Sequence, residues 1–260
     1  MKYVKFNKII SIALFSIMLV CNNANAAFID VAGLIHLWSG EGNANDSVGS
    51  ANGTLGTTTG FAMGYNGQAF SFDGSQSSVT EFPVDIGPSS FPQITIGMYV
   101  NVDSLINNRD WILGHDNGGY DRALLIFDDR FGTGFASAAG GTYASSLTSF
   151  GGNLNSWFGI AAAFNQTTAS ATIYINDLVG NSTAQTISTN FGDGRPKFSL
   201  GGLVQYGNHT VDALADEIFI YDRALTQAEL DVAFARVPEP STLAILSLGM
   251  IGLGARRFKK

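Results

Sequence analysis

The stretch that decides the fold is Ala213-Leu214-Ala215-Asp216-Glu217-Ile218-Phe219-Ile220-Tyr221-Asp222-Arg223-Ala224-Leu225. Leu214, Ile218 and Ile220 share one parity, and Phe219 and Tyr221 share the other. That pattern predicts a strand buried on both faces near the middle of a sheet. Thr226 follows, with Glu229 three residues later, the spacing of a capping box that opens a short helix.

Outward from this strand, segments 34–38, 69–72, 78–82, 94–100, 111–113, 123–127, 134–138 and 157–164 are further short alternating runs. Ile94, Ile96, Met98 and Val100 fall on one face of theirs. Phe158, Ile160, Ala162 and Phe164 do the same, with small residues opposite that let a second layer come close. Glycine-bearing turns such as Asn117-Gly118-Gly119 separate the runs. Many short strands with almost no helical periodicity predict an all-β chain. The expected form is an antiparallel two-sheet jelly-roll β-sandwich over 27–236, closed by one short C-terminal helix.

Four motifs, in order, carry a resemblance. They are the loop Gly42-Asn43-Ala44-Asn45-Asp46-Ser47-Val48-Gly49, the strand Gly67-Gln68-Ala69-Phe70-Ser71-Phe72-Asp73-Gly74, the strand Ile173-Tyr174-Ile175-Asn176-Asp177 and the closing strand above. Together they resemble the laminin-G-like (concanavalin A-like) jelly-roll family from about Gly33 to Phe234, although Asp177 stands where that family usually has glycine. The resemblance implies a frequent trade in carbohydrate binding. It also implies a structural calcium ion, carried over to Asp46 and Asp216.

The ends read differently. Lys2, Lys5 and Lys8 precede an apolar run over 9–20 and then Ala24-Asn25-Ala26, a basic head, short apolar stretch and small-x-small site. This is a secretory signal peptide over 1–26, with cleavage expected after Ala26. Cys21 leaves with it, and the remaining chain has no thiol chemistry. Residues 27–236 hold seven Lys and Arg against twenty Asp and Glu, a net charge of −13. Such a surface repels nucleic acid and anionic lipid and attracts cations.

After Arg236 comes Val237-Pro238-Glu239-Pro240-Ser241, then thirteen uncharged residues over 243–255 and a basic end, Arg256, Arg257, Lys259 and Lys260. As a helix the uncharged run spans only about 20 Å, short against a hydrocarbon core of about 30 Å. Snorkelling Arg and Lys make up part of the shortfall, and the basic end stays cytoplasmic. Residues 237–260 resemble the Pro-Glu-Pro (PEP-CTERM) sorting signal of certain Gram-negative bacteria. That resemblance implies transient inner-membrane insertion and processing at Pro238, Glu239 and Pro240 by an exosortase-type membrane protease. Delivery to the cell surface, or to an exopolysaccharide or biofilm matrix, follows.

Glycoside hydrolysis needs two carboxylates facing each other across a cleft. Asp216-Glu217 and Asp128-Asp129 are adjacent pairs, and neighbours on a regular strand point to opposite faces. His36, His115 and His209 lack metal-ligand spacing, and no Gly-x-Ser-x-Gly elbow occurs. The chain therefore reads as a non-enzyme.

For calcium, a hard cation that takes oxygen ligands, Asp46 in the glycine-rich opening loop and Asp216 and Glu217 in the closing strand are the candidates. The simpler alternative has Asp46 capping a turn and Asp216 accepting a backbone hydrogen bond. For a polysaccharide or glycoconjugate the candidate platform is Trp111 with His115, Asp116, Asn117 and Tyr120, or Tyr143, or Tyr206 near Asn208. Trp38 and Trp157 read as core, and Ile112-Leu113 give Trp111 the same option. The expected function is a secreted, non-catalytic, carbohydrate-binding module. The alternatives are a glycoside hydrolase or lyase on the same fold and a ligand-free structural matrix protein.

Overall fold

The structure, a computed structural model, describes residues 31–234 apart from 108, 118–121, 130–131, 140–141, 147–152, 178–181, 189–191, 206 and 208. The expected signal peptide and the C-terminal segment 237–260 lie outside the described residues.

Two antiparallel sheets face each other. The first runs β12 (Ser182–Ser188), β11 (Ser170–Asn176), β10 (Trp157–Asn165), β5 (Gln93–Ser104), β14 (Asp212–Tyr221), β3 (Gln68–Asp73) and β2 (Gly60–Met63), with β1 (Leu34–Trp38) also paired to β14. The second runs β4 (Thr80–Phe82), β13 (Phe198–Leu200), β6 (Arg109–Gly114), β7 (Ala123–Asp129), β8 (Gly132–Ala139) and β9 (Thr142–Ser146). Phe70, Phe72, Ile94, Ile96, Met98 and Val100 from the first sheet meet Leu124, Ile126, Phe135 and Leu200 from the second in one continuous core. The first part of the expected strand over 78–82 instead completes a 3-10 turn, Gln76–Ser78.

The first and last strands lie side by side, from Leu34 opposite Tyr221 to Trp38 opposite Ile218. Beyond them, Arg223 Nε donates to the Ala32 carbonyl at 2.9 Å and Asp222 N to that of Gly33 at 3.0 Å. The chain's opening is thus sewn to its close.

One expectation about β14 is corrected. The strand is central and buried, but Leu214 does not share a face with Ile218 and Ile220. Ala213 and Ala215 point into the core together with Ile218 and Ile220, while Leu214 faces outward, half-buried. The parity flips because the pairing with β5 slips between Asp216 and Phe219, and Glu217 sits there with φ at +49°. A bulge absorbs one residue and re-aims its neighbours.

The outer face of the first sheet is partly roofed. Helix α1 (Gln227–Ala233) opens with the expected capping box: Thr226 Oγ1 accepts from Glu229 N, and Glu229 Oε2 accepts from Thr226 N at 2.8 Å. Just beyond it, Phe234 lies parallel to Tyr174, with ring centroids 5.8 Å apart, and edge-on to Tyr99. A Cβ on Gly159 would stand 2.6 Å from the Phe234 ring, so the bare backbone there makes the seat. The small outward residues of β10 serve this close approach.

Candidate functional site

The bulge in β14 and the turn between β2 and β3 build the site together. Gly64 N donates to Gly67 O at 2.9 Å, closing a tight turn with Tyr65 and Asn66 at its tip. A Cβ on Gly64 would fall 2.6 Å from Asp216 Oδ2, so only glycine lets this turn reach the strand. Asn66 N donates to Asp216 Oδ2 at 2.9 Å, and Asn66 Nδ2 donates to Glu217 Oε1 at 3.0 Å. The two carboxylates therefore converge on one asparagine. The opposite-faces expectation for this pair fails because the left-handed backbone at Glu217 breaks the alternation.

Asp216 is fully buried and Glu217 nearly so. Asp216 Oδ1 is buried and has no donor. Burial pushes the Asp216 carboxyl up to about 8; the Asn66 N–H pulls the other way and Glu217 adds repulsion. Burial likewise pushes Glu217 up to about 7, opposed by the Asn66 amide and helped by the charge of Glu41. Glu41, whose Oε1 accepts from Gln68 N at 3.0 Å, thus faces both acids. Pairing and desolvation of this kind mark a place where a cation would be welcome.

Asp46, the third expected calcium ligand, is engaged elsewhere. Its Oδ1 accepts from the N–H groups of Leu37, Val48 and Gly49, and its Oδ2 from that of Ala51. His36 Nδ1 also lies 2.6 Å from Oδ2. Burial alone would raise this carboxyl, but His36 and the backbone donors outweigh it and hold the group below its ordinary value. Asp46 is a knot that fixes the opening loop, so the structure corrects the pairing of Asp46 with Asp216 around one ion. Among the described residues, no group of three or more His, Cys, Asp or Glu side chains is arranged to hold a metal.

Trp111 is 2% exposed, packed with Leu125, Phe127 and Leu203 on the outer face of the second sheet and with its ring 6.0 Å from that of His209. It is a packing residue, not a surface platform. His115 is buried too: its Nε2 accepts from Arg122 N at 3.1 Å, and burial depresses the imidazole to about 4. Asp116 is buried beside it. Asn117 is exposed and donates from Nδ2 to Asp193 O at 2.9 Å. Tyr120, Tyr206 and Asn208 lie outside the described residues, and Tyr143 is placed only as a backbone position in β9.

The surface aromatics that sequence reasoning missed are Tyr65 and Trp157. Tyr65 stacks on Tyr99 with centroids 4.1 Å apart and stands 6.0 Å from Trp157. Trp38 is fully buried, as expected, with its Nε1 donating to Ala51 O. Trp157, expected in the core, is half-buried on the outer face, because its register partner Asn101 points outward. The only local hint was an aromatic-amide pair bracketed by glycines, Gly64-Tyr65-Asn66-Gly67.

The profile of the concanavalin A-like lectin/glucanases superfamily (Laminin_G_3) matches residues 73–231. The chain belongs to this superfamily. A PEP-CTERM protein-sorting motif matches residues 236–259, which marks an extracellular or cell-surface protein. No curated protein matched the sequence.

Among solved structures, similarity extends to domain 4 of AbnA, a GH43 extracellular arabinanase from Geobacillus stearothermophilus, in complex with arabinotriose. That match has a TM-score of 0.59 at 22% identity and covers 78% of this chain and 100% of that one. The binding domain of botulinum neurotoxin DC in complex with SialylT matches with a TM-score of 0.58 at 11% identity, over 78% of this chain and 50% of that one. The binding domain of Paraclostridial mosquitocidal protein 1 gives 0.56 at 18%, over 77% and 51%. The chain spans about half the length of the toxin binding domains it matches. These likenesses show the fold. Among the described residues no helix is long and apolar enough to cross a membrane.

Proposed function

We propose that this is a secreted, non-catalytic carbohydrate-binding module, sorted by an exosortase-type protease to the surface or extracellular matrix of a Gram-negative bacterium. The observation that carries the reading is the half-buried Tyr65–Trp157 pair beside the Asn66 amide, apolar rings next to polar groups, as sugar recognition requires. The sandwich architecture supports it, since similar domains were solved with arabinotriose and with SialylT. The sorting motif supports delivery, with transient membrane insertion through 243–255.

A hydrolase or lyase is the weaker reading on this fold. Its carboxylates would have to flank an open cleft. Asp216 and Glu217 are instead sealed and share one asparagine. A glycan array together with reducing-end assays on the same polysaccharides separates the readings. Binding without new reducing ends is expected; cleavage abolished by Asp216→Asn would overturn the non-catalytic reading.

A structural calcium ion is the second part of the proposal, resting on the donor-less Asp216 Oδ1 beside Glu217 and within reach of the Glu41 charge. Asp216 and Glu217 would hold the ion, and its charge would relieve the repulsion between them. Added calcium should raise the thermal midpoint of the parent chain but not of Asp216→Asn, and chelator should reverse the rise. A parent midpoint indifferent to both reagents removes the ion.

A further inference from the structure

Strand register lays a row of outward residues across the first sheet. Trp157 is opposite Asn101, Asn101 opposite Leu214, Leu214 opposite Ser71, and Ser71 opposite Gly60. Residues directly opposite in antiparallel strands share a face, so the five form one strip from β10 to β2. At about 4.8 Å per strand the strip is about 19 Å long. All five are half-buried and none is charged. Tyr65 stands over its inner margin, against Trp157.

Acids border the strip on both sides. On one side Asp212 is opposite Asp73, and Asp103 is close enough to Asp212 to be raised by its charge, although burial is the larger cause. On the other side the Asp216–Glu217 pair is buried, and the acid open to solvent is Glu41. An uncharged aromatic strip flanked by Asp73, Asp103 and Asp212 on one side and Glu41 on the other repels uronic or sialic acid polymers and attracts ammonium groups. Rings within reach of those ammonium groups add cation–π attraction.

We propose that this strip is the glycan site and that its ligand is a polysaccharide carrying free amino groups, stacked on Trp157 and Tyr65, with Asp73, Asp103, Asp212 and Glu41 pairing its amines. This rests on the carbohydrate-binding reading above and names its ligand class and surface.

The test titrates the purified full chain with three oligosaccharides: glucosamine oligomers, their N-acetylated counterparts and oligogalacturonate. Trp38 and Trp111 are buried, so acrylamide quenching of tryptophan fluorescence reports chiefly on Trp157. Glucosamine oligomers should bind about tenfold tighter than the N-acetylated set at low salt, lose that margin at high salt, and shield the fluorescence from acrylamide. Asp103→Asn with Asp212→Asn should shrink the margin while leaving N-acetyl binding in place. Trp157→Ala should weaken every glycan, and Tyr65→Ala, on a turn, is the substitute if that variant does not fold. Equal or tighter binding of the N-acetylated or acidic oligomers, or ligand binding without shielding of Trp157, overturns the proposal and leaves the carbohydrate-binding reading standing. No binding on a broad glycan array sinks that reading itself.

Discussion

Asp46 and Asp216 are both buried carboxylates beside the same pair of terminal strands, and they have opposite fates. Asp46 is surrounded by four backbone N–H groups and a histidine and is held ionised. Asp216 receives one backbone N–H at one oxygen, has nothing at the other, and is pushed toward its neutral form by burial. Burial alone does not assign a role to an acid. The supply of donors does: a satisfied carboxylate organises a loop, and an unsatisfied one waits for a partner.

The comparison is broken most directly at Asp46. Asp46→Ala strips five donors of their acceptor at once and should cost about 2–4 kcal/mol in denaturant unfolding, since water can reach only some of them. A loss below experimental error would mean the knot is ornamental.

The next effect is in pH. Both acids of the Asp216–Glu217 pair are raised, so the folded chain holds their protons where the unfolded chain has released them. Their contribution to stability is complete below the ordinary carboxylate range near pH 4 and is lost as pH rises through about 7 and 8. The thermal midpoint in chelator should fall over that window. Asp216→Asn should flatten the fall, and calcium should suppress it by taking the place of the protons. A midpoint that climbs with pH in chelator contradicts the assignment.

The smallest expected effect is at Asn66. Asn66→Ala keeps the backbone donor to Asp216 but removes the amide from Glu217, at a cost of about 1 kcal/mol at neutral pH. It should also move the falling limb to higher pH, because the group that opposed the rise of Glu217 is gone.

The sandwich was legible because period-two runs and ordered motifs act over a few residues each. The capping box at Thr226 follows from the same local chemistry, whereas the pairing of β1 with β14 is long-range and came only with the family resemblance. The bulge at Glu217 was not legible. A glutamate at φ +49° carries no glycine or asparagine signature, and without the bulge the alternation sends Asp216 and Glu217 apart. Asn66 was missed for a different reason: it reaches the acids only through a turn that must close across 150 residues of sequence, and Glu41 comes from the opening loop, held there by the Gln68 N–H. Trp157 was misread because position one of an apolar strand looks like its interior until the register shows Asn101 across from it.

Phe234, the last of the described residues, is wedged over Gly159 between Tyr99 and Tyr174. The Pro238-Glu239-Pro240 segment starts four residues later. A scissile bond placed there would release the sandwich with its Phe234 latch intact, so shedding the tail need cost the folded body none of its rigidity.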